Sequence, residues 1–165
     1  MSSGELPEHN DEGDFEELEL LKQILQSSLK EFPDFPTPGI LFQDILPLFA
    51  SPTLHNDLVR ALEIHVLSTH PPKLTPPFSG VDVIVGLEAR GFLFGPSLAL
   101  RIGAGFVPVR KAGKLPGETL KVEYKKEYGV DMFEMQKDSI KPGQRVVIVD
   151  DIIATGMAKY TEWNL

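Results

Sequence analysis

The run Val146-Val-Ile-Val-Asp-Asp-Ile-Ile-Ala-Thr-Gly156 constrains this chain more than any other segment. Its first four residues are all β-branched, which predicts a short strand buried on both faces, as in a parallel sheet. Asp150 and Asp151 follow where that strand should end. The carboxyl end of a parallel strand is where an α/β fold usually binds its ligand. In the small Ala-Thr-Gly turn beyond, successive backbone amides can turn toward an anion. A core strand followed by two solvated aspartates is the plainer alternative.

A chain of 165 residues, 42% of them hydrophobic, fits one domain with a real core. It has no cysteine, which removes disulfides, thiolate nucleophiles and cysteine metal sites from consideration. The net charge of -8 is uneven. Eight of the 24 acids lie in residues 1–19, which hold no Lys or Arg, and the remaining 16 balance the 16 basic residues. A nucleic-acid binder should show a basic face, so no nucleic-acid partner is expected. Arg110, Lys111, Lys114, Lys121, Lys125 and Lys126 form a local basic cluster better suited to a small anion. The start is too acidic for a signal or transit peptide, and no apolar run reaches the roughly 18 residues of a membrane span. A cytoplasmic protein with no membrane partner is expected.

Residues 1–13 read as an acidic disordered tail, and residues 14–165 as one domain. Asp14 is placed to cap a helix with Phe15, Leu18, Leu21, Leu25 and Leu29 on one stripe, lying on the domain or on a dimer partner. Phe32-Pro-Asp-Phe-Pro-Thr-Pro-Gly39 is a stiff loop. Ser51-Pro52 opens a second helix through Leu54, Leu58, Leu62 and Val66. Val81–Val85 is a strand, and the turn Gly86-Leu-Glu-Ala-Arg-Gly91 leads into a helix over 92–102. Pro96 falls early enough in that helix for its missing amide to cost little. Phe106–Val109 is the next strand, and Thr119–Tyr124 with Met132–Gln136 form an antiparallel pair. Strand, helix, strand, polar excursion and strand together describe a small α/β fold with a hood.

Three glycine-containing turns must be explained together: 86–91, 110–117 and 150–156. The first and third follow convincing strands, so a parallel sheet would align them along one edge, with the second supplying cations. Amides, cations and a carboxylate pair suit a sugar phosphate bearing a pyrophosphate: the phosphates take the donors and the ribose hydroxyls meet Asp150 and Asp151. A pyrophosphate beside carboxylates implies Mg²⁺, held mainly by the ligand and water rather than by a direct protein metal site. No dinucleotide fingerprint or P-loop is present, and His9, His55, His65 and His70 lie outside every glycine turn.

The 146–156 segment closely resembles the diphosphoribosyl-binding signature of the type I phosphoribosyltransferases. Phe35-Pro-Thr-Pro-Gly-Ile-Leu-Phe-Gln-Asp44, Gly86-Leu-Glu-Ala-Arg-Gly-Phe-Leu-Phe-Gly-Pro96, Arg110-Lys-Ala-Gly-Lys-Leu-Pro-Gly117 and Glu127-Tyr128-Gly129 look like the adenine-specific branch, in its order. The resemblance implies a mostly parallel sheet flanked by helices, with a mobile hood over 112–129. It implies transfer of a phosphoribosyl group from 5-phosphoribosyl 1-pyrophosphate to adenine, giving AMP and pyrophosphate in purine salvage, with Mg²⁺ as cofactor and a homodimer as the working form. By the same resemblance Leu41, Phe42 and Gln43 hold adenine, with Phe42 stacked on the ring. Glu88 and Ala89 bind pyrophosphate through a cis peptide, and Arg90, Arg110, Lys111 and Lys114 supply cations to it. Asp150 and Asp151 bind the ribose, and Ala154, Thr155 and Gly156 begin the 5′-phosphate loop. Glu127 stands where the family handles the N9 proton, beside Tyr128. Glu127, Arg90 and Lys111 are the expected catalytic residues.

The match departs from the family after Gly156. Met157-Ala158 replace a second Gly and a Thr, and Leu165 ends the sequence where the family continues into a helix and strands. The expectation is a C-terminally divergent or truncated member with missing sheet elements. It would be either a working enzyme or a non-catalytic homologue that binds a ligand or forms dimers.

Overall fold

The protein is described by a computed structural model for residues 11–71, 80–126 and 129–151. It falls into two compact units, residues 1–69 and 70–165.

In the first unit, α1 (Asp11–Ser27) and α3 (Pro52–Thr69) pack through Leu18, Leu21 and Leu25 against Ala61 and Ile64. This is a shortened form of the expected stripe. Phe15 remains 64% exposed, and Leu29 lies past the helix end. The helix begins at Asp11, so Asp14 sits within it rather than at its cap. Asp14 and Glu17 instead accept from Arg60 Nη2 at 3.2 and 2.7 Å, and Glu63 accepts from Nη1 at 3.1 Å, which ties α1 to α3. Ser51 caps α3 as expected: its Oγ accepts the Leu54 amide at 3.4 Å, with Pro52 in the first turn. The buried face of α3 is Val59, Ala61, Ile64 and Val66, while the leucines of the expected stripe are only half-buried. Apolar residues occur on more than one side of this helix, and spacing alone does not choose between them.

The proline-rich segment is more ordered than a loop. β1 (Lys30–Pro33) and β2 (Leu41–Asp44) form an antiparallel ladder, with Phe32 opposite Phe42. Asp34 closes the turn: its Oδ1 accepts the Gly39 amide at 2.7 Å, and the Phe35 amide donates to the Ile40 carbonyl at 3.2 Å. A short helix, α2 (Leu46–Ala50), buries Leu48.

The second unit is a five-stranded sheet in the order β5-β6-β4-β3-β7. Its strands are β3 (Val83–Leu87), β4 (Gly105–Lys111), β5 (Thr119–Lys126), β6 (Gly129–Gln136) and β7 (Val146–Val149). β3 runs parallel to both β4 and β7, which are the three strands the sequence places in a parallel core. β5 and β6 pair antiparallel and continue the same sheet through β4. All five residues of β3 are buried, as a central strand covered on both faces requires. On one face Val83, Val85, Leu87, Val107, Val109, Met135 and Ile140 form the core. Each such fully buried aliphatic side chain contributes about 1.5–3 kcal/mol.

α4 (Gly91–Ile102) packs on β3 and ends at Gly103, whose φ of 71° lets the Ala104 amide turn back to the Ala99 carbonyl at 2.8 Å. Pro96 lies beyond the first turn of α4, so it removes the bond to Phe92 and costs more than an N-terminal position would. No described helix is long and apolar enough to cross a membrane.

Candidate active site

Parallel pairing of β3 with β7 ends both strands side by side: Gly86 is opposite Val149, so Glu88-Ala89-Arg90 and Asp150-Asp151 emerge together. Two close approaches make this possible. A Cβ on Gly91 would fall 2.6 Å from the Val149 carbonyl oxygen, and one on Gly86 would fall 2.9 Å from the Gly91 carbonyl oxygen. Only glycine lets the start of α4 lie against the strand ends. The Glu88–Ala89 peptide is cis, as the resemblance implies for this turn.

Glu88, Ala89, Arg90, Lys111, Lys114, Asp150 and Asp151 line one cleft of about 610 Å³. Arg90 Nη1 donates to Asp151 Oδ2 at 2.5 Å, linking the ends of β3 and β7. Asp150 Oδ1 accepts the Asp151 amide at 3.0 Å. Burial pushes the Asp150 carboxyl above the ordinary aspartate range and the charge on Asp151 adds to this, while the Asp151 amide and Arg90 oppose it.

Glu88 is the electrostatic centre of the other wall. Its Oε1 accepts from Lys114 Nζ at 2.6 Å and Arg110 Nη2 at 3.1 Å, and its Oε2 accepts the Lys111 amide at 3.1 Å. The Lys114 ammonium and then the Arg110 guanidinium hold its carboxyl down to about 2. Arg110 also donates from Nη1 to the Lys114 carbonyl at 3.3 Å, while its buried Nε has no partner among the described residues.

Of the four expected cations, Arg90, Lys111 and Lys114 line the cleft with Asp150 and Asp151, while Arg110 stands behind it, bonded to Glu88. Leu41, Phe42 and Gln43 lie on β2 of the first unit. There the Phe42 ring meets Phe35 edge-on, with centroids 5.2 Å apart, and Gln43 Nε2 donates to Glu31 at 3.2 Å. Glu127, Tyr128, Ala154, Thr155 and Gly156 lie outside the described residues. Sequence reasoning missed Glu134, which is only 1% exposed and accepts the Lys114 and Leu115 amides. The available signal was a single acid inside the apolar run Met132-Phe-Glu-Met135.

Among the described residues no three His, Asp or Glu side chains gather as a metal-binding group. Two adjacent carboxylates, one of them already paired with Arg90, fit a Mg²⁺ that brings most of its ligands as phosphate oxygens and water.

Residues 78–158 match the family model described as the phosphoribosyl transferase domain. The adenine phosphoribosyltransferase of Yarrowia lipolytica is 55% identical over 139 residues, which are 84% of this chain and 73% of that protein. That of Mus musculus is 48% identical over 143 residues, 87% of this chain and 76% of the mouse protein. The crystal structure of the Saccharomyces cerevisiae enzyme, complexed with an imino-altritol bisphosphate and adenine, superimposes with a TM-score of 0.78 at 52% identity. That alignment covers 86% of this chain and 77% of the yeast chain.

Proposed function

We propose, for a chain that belongs to the adenine phosphoribosyltransferase family, that the cleft between the ends of β3 and β7 holds the phosphoribosyl pyrophosphate donor. The reaction is adenine plus 5-phosphoribosyl 1-pyrophosphate giving AMP and pyrophosphate. One observation carries the placement: Arg90, Lys111 and Lys114 share a cleft with Asp150 and Asp151.

The residues divide by charge. Arg90, Arg110, Lys111 and Lys114 hold the pyrophosphate and stabilise its growing negative charge as the bond to C1′ breaks. Glu88 and Ala89 shape the turn on which that group rests. Asp150 and Asp151 accept the ribose hydroxyls and orient the sugar as C1′ gains oxocarbenium character. Mg²⁺, when bound with the donor near Asp150 and Asp151, neutralises phosphate charge.

The acceptor side rests on the family resemblance. Leu41, Phe42 and Gln43 receive adenine, with Phe42 against its ring. Glu127, beside Tyr128, takes the N9 proton as N9 attacks C1′. Ala154, Thr155 and Gly156 receive the 5′-phosphate. Hood closure over 112–129 excludes water, whose attack would hydrolyse the donor. A homodimer belongs to the same reading.

The test is adenine-dependent release of pyrophosphate by the purified chain, with Mg²⁺ and donor supplied. Turnover that is lost in Arg90→Ala and in Asp150→Asn supports the assignment. Turnover indifferent to both substitutions rejects it.

A further inference from the structure

We infer that Glu134 is a positioning residue: a buried carboxylate that clamps the loop 113–115 and thereby aims the Lys114 ammonium into the cleft. The inference rests on the donor site proposed above.

Glu134 lies on β6, directly across from Arg110 on β4. Its neighbours Phe133 and Met135 belong to the apolar core, and Glu134 is the one buried charged residue among the described residues. A carboxylate there needs compensation, because burial alone would force it to take up a proton. The loop supplies it. Oε1 accepts the Lys114 amide at 2.7 Å and the Leu115 amide at 2.9 Å, and Oε2 faces Thr119 Oγ1 at 3.4 Å. Burial is the largest single influence and acts upward, but the amides of Leu115, Lys114 and Gly113, with the charge of Lys121, together hold the group below the ordinary glutamate range.

Two consequences follow. The loop amides form a nest of the kind that binds phosphate, and the protein's own carboxylate already fills it. Phosphate must therefore meet this loop through side chains. The backbone of Lys114 is also pinned at its amide, which fixes the origin of a side chain whose Nζ reaches Glu88 at 2.6 Å. Glu134 is not itself among the residues that line the cleft, and it acts through the backbone of Lys114, which is.

A double-mutant cycle tests this. Binding of pyrophosphate with Mg²⁺ is measured calorimetrically on the full chain, alongside urea unfolding. Lys114→Ala and Glu134→Ala are each expected to weaken binding about tenfold, and the double variant is expected to bind no more weakly than either alone. Glu134→Gln keeps a carbonyl oxygen for the amides without the charge, and should recover most of the loss while still binding about threefold more weakly than the parent. Should Glu134→Ala fail to fold, Glu134→Gln enters the cycle with the same non-additivity expected.

Additive losses, or parental binding by the Glu134 variants, would overturn the clamp while leaving the donor site intact. Parental binding by Lys114→Ala would instead overturn the donor-site assignment. A loss of stability without a change in pyrophosphate affinity would reduce Glu134 to a core residue.

Discussion

Glu88 and Lys114 are joined by a 2.6 Å ion pair in the cleft, and Arg110 closes on the same carboxylate oxygen at 3.1 Å. The cations proposed to hold pyrophosphate thus already hold an anion. An incoming phosphate must share them with Glu88 or displace it. Glu88→Gln removes that competing charge and keeps an oxygen for the Lys111 amide. Pyrophosphate should bind this variant about threefold more tightly, given the strength of charge-assisted bonds. Weaker binding in a calorimetric titration would mean that Glu88 orders the cations for the ligand rather than competing with it.

The same pairing gives a pH signature. The Glu88 carboxyl is held at about 2, below the ordinary value of 4.5, first by Lys114 and then by Arg110. A depressed folded-state value means the charged form stabilises the fold. That contribution is complete above pH 4.5 and fades as pH falls toward 2. The difference in urea midpoint between the parent and Glu88→Gln should be constant near neutrality and shrink with acid across that window. A difference that grew on acidification would contradict the ion-pair assignment.

What was legible in the sequence follows the physics of each element. β7 and its two aspartates could be read because an unbroken β-branched run has few alternatives to a buried strand. The connection from β3 to α4 could be located because Gly86 and Gly91 stand where backbone must approach backbone, but its bounds shifted: β3 runs on through Gly86 and Leu87, and α4 already begins at Gly91. The β1–β2 ladder could not, because short strands flanked by prolines carry almost no periodicity. Glu134 was hidden for another reason. An acid between apolar neighbours in a strand normally faces water, and only the folded loop at 113–115 covers the face to which Glu134 points.

Asp150 should trade stability for function. Burial, reinforced by Asp151, raises its carboxyl above the ordinary aspartate range, so at neutral pH the charged form opposes folding. Asp150→Asn removes that penalty. The variant should melt at a higher temperature than the parent at pH 7, and the gain should vanish as pH falls below the ordinary aspartate range. It should also bind donor at least tenfold more weakly, through loss of charged acceptors for the ribose hydroxyls. Thermal melts across pH and donor titrations at pH 7 check both halves. A destabilised variant would place Asp150 among the groups that hold the strand end together.

Gly91 links the fold to the chemistry most directly. An added methyl group would meet the Val149 carbonyl oxygen at 2.6 Å and the Gly86 Cα at 3.2 Å, and neither backbone group can rotate away. The start of α4 would have to lift from the seam between β3 and β7. Arg90 precedes Gly91 immediately and would move with it, away from Asp151. Gly91→Ala should therefore lose about 1–3 kcal/mol of stability and weaken pyrophosphate binding as well. Gly103→Ala is the contrasting case. There the methyl group meets nothing within 4 Å, but φ is +71°, so the cost is one of backbone conformation at the far end of α4. It should lose about 1–2 kcal/mol and leave pyrophosphate affinity at the parental value. Urea unfolding and calorimetry on the two variants separate the effects. Equal losses of affinity in both would show that binding follows overall stability and not the seat of α4 on the strand ends.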